Sequence, residues 1–182
     1  MEIPPEITVA FTGNRLLEAP AGVSKIDFEQ TLRASLRVKI LELYNVNYRF
    51  FLTGGAVGFD MIAAEEVLLL REQHPDIRLI VVVPFRGQDL KYSEAAKARY
   101  AHLMECADKV VTICEQGYSA SAYHLRNDFL VRNSNYVVAY SSGRGRGAAS
   151  TLRRAQELGV ESFNIYDDLL QNVASEQLSF GF

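Results

Sequence analysis

Short apolar runs and amphipathic stretches take turns along this chain. Ile7-Thr8-Val9-Ala10-Phe11, Tyr48 to Leu52, Arg78-Leu79-Ile80-Val81-Val82-Val83, Val110 to Cys114, Tyr136 to Tyr140 and Ser162 to Tyr166 are rich in β-branched and aromatic residues and predict six strands. Between them apolar residues return at helical spacing. Phe28, Leu32, Leu36, Ile40 and Leu43 mark a helix that Asp27 and Gln30 open like a capping box and that runs to about Tyr44. Phe59, Ile62, Ala63, Val67 and Leu70 mark the next, which stops at His74-Pro75-Asp76. Ser93 caps a helix reaching Ala107, another runs from about Ser121 to Asn133, and a last one from Ala148 to Leu158 ends at Gly159.

Strand and helix alternate throughout, which predicts an α/β fold: a doubly wound, mainly parallel sheet of about six strands, with right-handed crossovers and helices on both faces. The nearly continuous apolar run from Leu79 to Val83 fits a parallel strand covered on both sides. No linker, repeat or low-complexity tract divides the chain, so residues 1–182 read as a single domain, with a core over 7–166 and a tail over 167–182. Ligands of such sheets bind beyond the carboxyl ends of the strands, near a reversal of strand order.

Glycine-rich turns fall at those ends. Thr53-Gly54-Gly55-Ala56-Val57-Gly58 joins the second strand to a helix opening Phe59-Asp60, where free N–H groups of a first helical turn favour an anion. Thr12-Gly13-Asn14-Arg15 follows the first strand, Pro84-Phe85 ends the third, and Ser141-Ser142-Gly143-Arg144-Gly145-Arg146-Gly147 follows the fifth. The helix over 121–133 carries Tyr123, His124, Arg126, Asn127, Asp128 and Arg132, although Leu125, Phe129 and Leu130 suffice to bury it. Arg126 starts near the same edge, and a guanidinium suits a phosphate. The expected ligand-binding set is Gly13, Asn14, Arg15, Thr53, Gly54, Gly55, Gly58, Asp60, Pro84, Phe85, Arg126, Asn127, Gly143, Gly145 and Gly147. Asp60 and Glu65 are the candidate catalytic carboxylates; as ordinary helix residues they would serve the dipole and the solvent instead.

Composition narrows the function. With 182 residues, 48% of them hydrophobic and a formal net charge of -3, the chain can bury a core but does not offer a basic surface to nucleic acid, which is a possible partner and not the favoured one. Cys106 and Cys114 lie too far from any metal-ligand spacing for a zinc site and are expected as buried free thiols, so no metal and no cofactor are predicted. Neither a leader pattern nor an apolar run of about 18 residues occurs, which predicts no membrane partner and a cytoplasmic location. Thr53 stands where a dinucleotide fingerprint needs its first glycine, and no G-x-x-x-x-G-K-[ST] occurs, which argues against NAD in its usual geometry and against a Walker ATPase. The three histidines pair with no serine or cysteine in a triad-like pattern.

Several of these segments together resemble the SLOG superfamily of Rossmann-like domains, which includes DprA (Smf) and the LOG phosphoribohydrolases, and within it the group DUF1273 typified by YpsA. The resemblance covers about residues 7 to 166 and is carried by Thr12-Gly13, Thr53 to Asp60 with Ala63-Ala64-Glu65, Pro84-Phe85 with Gln88, Arg99-Tyr100, Asp108, Arg126-Asn127 and Asn133-Ser134. It implies a nucleotide-derived ligand over the strand ends, held by Gly13, Gly54, Gly55, Asp60, Arg126 and the late glycine loop. The P-G-G-x-G-T-x-x-E signature of LOG enzymes corresponds here to Gly147-Ala148-Ala149-Ser150-Thr151, so Thr151 replaces the catalytic glutamate. The reading is therefore a nucleotide-like small-molecule binding or sensing module with a phosphate site and without strong catalysis, with a possible homo-oligomer. The alternatives are a LOG-like N-glycoside hydrolase working through Asp60 or Glu65, and DprA-like binding of single-stranded DNA.

Overall fold

A computed structural model describes residues 1–119, 121–143 and 146–170. Six strands, β1 Thr8–Gly13, β2 Phe50–Thr53, β3 Arg78–Phe85, β4 Lys109–Cys114, β5 Tyr136–Tyr140 and β6 Glu161–Asn164, form one sheet in the order β4-β3-β2-β1-β5-β6. Every pairing is parallel. The helices are α1 Lys25–Asn45, α2 Phe59–Arg71, α3 Glu94–Cys106, α4 Ala122–Arg132 and α5 Arg146–Glu157. Residues 165–170 are also helical. The fold is the Rossmann-like α/β arrangement expected from the alternation.

Alternate strand residues divide between two cores. Val9, Phe11, Phe51, Leu79, Val81 and Val83 pack with α1, α2 and α3 through Phe28, Leu36, Phe59, Val67 and Leu103. Ala10, Leu52, Ile80, Val82 and Val137 pack on the opposite face with Leu130 and Val131 of α4 and Ala155 of α5. The layers follow from handedness. Steps from β1 to β4 move in one direction across the sheet and put α1 to α3 on one face; the return to β5 and the step to β6 put α4 and α5 on the other. The order reverses at β1, between β2 and β5.

Three local expectations shift. Helix α1 begins before Asp27, because Ser24 is the N-cap and its hydroxyl accepts from the Asp27 amide at 3.1 Å. The third strand ends at Pro84-Phe85 as expected, with both residues inside β3. Beyond Val81 the strand has a partner only on the β4 side, so the missing N–H of Pro84 costs no ladder bond. Helix α4 buries Ala122, Arg126, Leu130 and Val131. Leu125, expected inside, is 51% exposed. Cys106 and Cys114 are free, but half-buried rather than buried. No helix among the described residues is long and apolar enough to cross a membrane.

Candidate functional site

The turn between β2 and α2 is filled by protein. The Thr53 hydroxyl donates to the Asp60 carbonyl at 2.9 Å and accepts from the Gly55 amide at 3.3 Å. Gln88 Nε2 donates to the Gly54 carbonyl at 3.0 Å. The Phe59 amide donates to the Asn14 carbonyl and the Met61 amide to the Ala56 carbonyl, each at 3.2 Å, so amides expected to face an anion are committed inside the fold. Gly54 is bare for a particular reason: a Cβ there would fall on Nη1 of Arg126 and stand 2.6 Å from Oδ2 of Asp60. The glycine clears a path for a guanidinium.

Arg126 uses that path to cross the carboxyl edge of the sheet. From α4 on one face its Nη1 donates to Asp60 Oδ2, on α2 of the other face, at 3.2 Å, with the two side chains only 9% and 5% exposed. Burial pushes the Asp60 carboxyl above the ordinary range; the charge and hydrogen bond of Arg126, then the amides of Ala56 and Gly13, pull it down without cancelling that rise. A single bond of this length leaves valences unused. Among the described residues the buried side-chain atoms lacking a hydrogen bond of good geometry are Asp60 Oδ1, Arg126 Nε, Asn14 Oδ1 and Gln88 Oε1. The first three belong to residues lining one cleft.

That cleft, of about 410 Å³, lies where the strand order reverses. The end of β1 and the loop after it supply one wall, Ala56 and Asp60 the floor, α4 a second wall, and Gly147 and Ala148 in the first turn of α5 a third. Asn14 ties the loop after β1 to the end of β5 and the residues beyond it, since its amide Nδ2 donates to Ser142 Oγ at 2.7 Å and its backbone N–H to the Tyr140 carbonyl at 3.1 Å. The guanidinium of Arg15 lies 5.5 Å over the ring of Tyr123. The first turn of α5 brings its helix dipole to bear on the same space. The result is a half-open cavity, mainly apolar in its lining, with the Asp60–Arg126 pair at its base, asparagine amides on two walls and an aromatic side.

Of the residues expected at a site, Gly13, Asn14, Arg15, Asp60, Arg126, Asn127 and Gly147 meet at this cleft. Thr53, Gly54, Gly55 and Gly58 stand behind it as scaffold; a Cβ on Gly58, whose φ is +95, would collide with the Arg15 backbone. Pro84 and Phe85 lie outside the cleft, as does Gly143, whose φ is +78. Gly145 lies outside the described residues. Glu65 faces elsewhere: it accepts from Arg99 Nε at 2.6 Å and from Arg33 Nη2 at 2.8 Å, in a network that also ties Arg33 to Glu29 and Glu66. Burial alone would raise the Glu65 carboxyl, but the Arg99 and Arg33 hydrogen bonds outweigh it and hold it below the usual range. Thr151, in place of the LOG glutamate, is 1% exposed inside α5.

Tyr123, Leu16 and Glu18 join the lining without having been expected there. Tyr123 carried a signal, being an aromatic ring on a helix already supplied with apolar residues, one turn before Arg126. Leu16 and Glu18 carried none, since the loop after β1 has no periodicity to place them.

Comparison with known proteins bears on the family and the fold. The family model YpsA, described as the YspA SLOG family, matches residues 9–161. The UPF0398 protein of Halalkalibacterium halodurans is 33% identical over 108 residues, which span 59% of this chain and 57% of that protein. The SPbeta prophage-derived protein YoqJ of Bacillus subtilis is 28% identical over 75% of this chain and 88% of its own. A UPF0398 protein of Bacillus cereus is 25% identical over 93% of this chain and 95% of its own. Among solved structures, DNA processing protein A (DprA) of Streptococcus pneumoniae shares the fold with a TM-score of 0.60 and 22% identity, across 89% of this chain and 50% of that one. DprA of Helicobacter pylori does so with a TM-score of 0.58 and 19% identity, across 91% and 72%. With the family pattern running from Val9 in β1 to beyond β5, the chain belongs to the YpsA family of SLOG proteins.

Proposed function

We propose that the chain is a binding or sensing module for a nucleotide or nucleotide-derived ligand, seated in the cleft between β1, α4 and α5. The observation that carries this reading is the set of buried, incompletely bonded groups on residues that line that cleft: Arg126 Nε, Asp60 Oδ1 and Asn14 Oδ1. Buried polar groups that lack partners are costly, and a ligand presenting both donors and acceptors relieves them. A fully ionised phosphoryl group presents only acceptors and would repel the oxygens of Asp60 and Asn14. A nucleotide carries hydroxyl and amide donors for those two, a phosphate for Arg15 and the first turn of α5, and a base face for Tyr123. The H. pylori DprA structure is described as showing a single-stranded DNA binding mode, so a neighbour of the same fold takes a nucleotide-bearing ligand.

Thermal melting of the protein with a panel of nucleoside mono- and diphosphates tests the proposal. A true ligand at about 100 times its Kd adds about 2.7 kcal/mol of stability. Arg126→Ala should abolish the shift, and Arg15→Ala, which touches no buried partner, should reduce it several-fold. If no nucleotide shifts the melt, or if both variants respond like wild type, the reading fails. The same mixtures, assayed for free base, distinguish a binder from an N-glycoside hydrolase with Asp60 as its acid.

A further inference from the structure

An aromatic row leads out of the cleft along the carboxyl edge of the sheet. Tyr123, on the cleft wall, meets Phe85 at 5.6 Å between ring centroids and 85° between planes. Phe85, at the tip of β3, meets Tyr118 at 5.4 Å and 87°. Phe85 is 7% exposed and anchors the row, whereas Tyr118, in the loop after β4, is 73% exposed. Packing explains Phe85. It does not explain an open tyrosine on a turn whose Gly117 has φ +89, where a polar residue would be the ordinary occupant. Leu16 at 77% and Leu90 at 76% exposure, on the loops after β1 and β3, add apolar surface at the same end of the sheet.

Resting on the nucleotide reading of the cleft, we propose that Tyr118, backed by Phe85, is a second base-stacking subsite. The ligand is then a single-stranded nucleic-acid segment of two or more nucleotides, the first in the cleft and the next on the Tyr118 ring. The row is continuous with the cleft through Tyr123, and its exposed member offers the π-face on which a base stacks whatever its identity. Cationic groups accompany it. Arg15 lies over Tyr123. Arg86, which reaches Glu115 across the two loops at 2.7 Å, is 76% exposed in a pair so open to water that a phosphate readily competes for it. The 410 Å³ of the cleft accommodate one nucleotide and not a chain, so a second residue of the ligand has to leave along an open path, and this row is the aromatic one.

Binding of a 5′-phosphorylated mononucleotide, the corresponding dinucleotide, and a dinucleotide analogue abasic at its second position, measured at one salt concentration in deoxyribose and ribose series, tests the subsite. The dinucleotide should bind about tenfold or more tighter than the other two in at least one series. Tyr118→Ala should erase that gain while leaving mononucleotide affinity within about twofold, and Tyr118→Phe should keep it. A dinucleotide no tighter than the mononucleotide in both series overturns the subsite and leaves the cleft reading intact. A gain that survives in the abasic analogue or in Tyr118→Ala overturns it too, because phosphate attraction would then be its source. Absence of any mononucleotide or dinucleotide binding overturns the cleft reading itself.

Discussion

Replacing Gly54 by alanine puts one methyl group where a guanidinium now lies. Gly54 does not have a positive φ, so the substitution acts through space and not through backbone strain. The added Cβ would coincide with Arg126 Nη1 and approach Asp60 Oδ2 to 2.6 Å, which forces the arginine off its partner. Losing a hydrogen bond between charged groups costs about 1.5–3 kcal/mol, and stranding a buried charge about 3–5 kcal/mol. Arg126 borders the cleft and can turn toward water there, which holds the cost near the lower range, about 3 kcal/mol. Alanine also restricts the unfolded chain and returns about 0.4–1 kcal/mol, leaving a net destabilisation of about 2 kcal/mol.

The diagnostic comparison is the same substitution made in Arg126→Ala. There the two closest clashes are gone and the flexible end of the Asp60 carboxylate is the next neighbour, so Gly54→Ala should cost less than about 1 kcal/mol. The unfolded-state contribution is common to both backgrounds and cancels in the cycle. Urea unfolding followed by circular dichroism, with midpoints compared at unchanged m, gives the coupling directly. Equal costs in the two backgrounds would refute the idea that Gly54 exists to admit Arg126.

Gly58→Ala should cost about 1–3 kcal/mol, because φ +95 and the adjacent Arg15 backbone both oppose a side chain, and should weaken nucleotide binding by moving the loop after β1; a variant that melts and binds like wild type contradicts this. Gly55→Val should destabilise through its φ of +61, so binding lost there reports on the scaffold and binding lost in Arg15→Ala on the ligand. For acid unfolding the sign follows from Glu65, whose folded pKa is lowered. Its stabilisation is complete above the unfolded value of about 4.3 and disappears as pH falls through the folded value. The stability difference between wild type and Glu65→Gln should therefore be flat from pH 7 to about 5 and shrink below about 4; a difference that stays constant down to pH 3 would be incompatible with it.

Much of the fold was legible because each level of the sequence agreed. Strands such as Leu79 to Val83 are apolar on both faces, and Ser93 and Gly159 punctuate helices in the ordinary way. Spacing alone favours Asp27 over Ser24, since the acidic N3 partner of a capping box resembles a cap itself. The larger difference lies in α4. Its inward stripe runs Ala122, Arg126, Leu130, and an arginine in such a stripe reads as an interruption of the apolar face, so the pattern turns the neighbouring Leu125 inward instead. The signal was present in the i, i+4, i+8 spacing, and a buried arginine demands a carboxylate. Asp60 answers it from a point 66 residues away in the chain, a pairing no local pattern displays. Similar long-range ties account for other motif residues: Asp108 accepts from the Leu79 amide at 2.8 Å and from Arg71 at 2.9 Å, and Arg99 holds Glu65.

The strand order explains why one long side chain has to do this. The chain passes from β4 at one edge to β5 on the far side of β1, so α4 runs beneath the middle of the sheet, against β3, β1 and β4. Its Tyr123 and Arg126 thereby reach the carboxyl edge beside the end of β1, where α2 begins on the opposite face. The length of arginine spans that edge, and it does so only because Gly54, the residue that follows β2, carries no Cβ. Gly54, Arg126 and Asp60 are thus one device. It locks the two helical layers together at the carboxyl edge where the strand order reverses, and its spare Nε and Oδ1, shielded from water, belong to residues that line the cleft. A ligand that bonds to both must bind more weakly to a protein in which the two layers have parted, so occupancy of the cleft and cohesion of the sheet edge are thermodynamically linked.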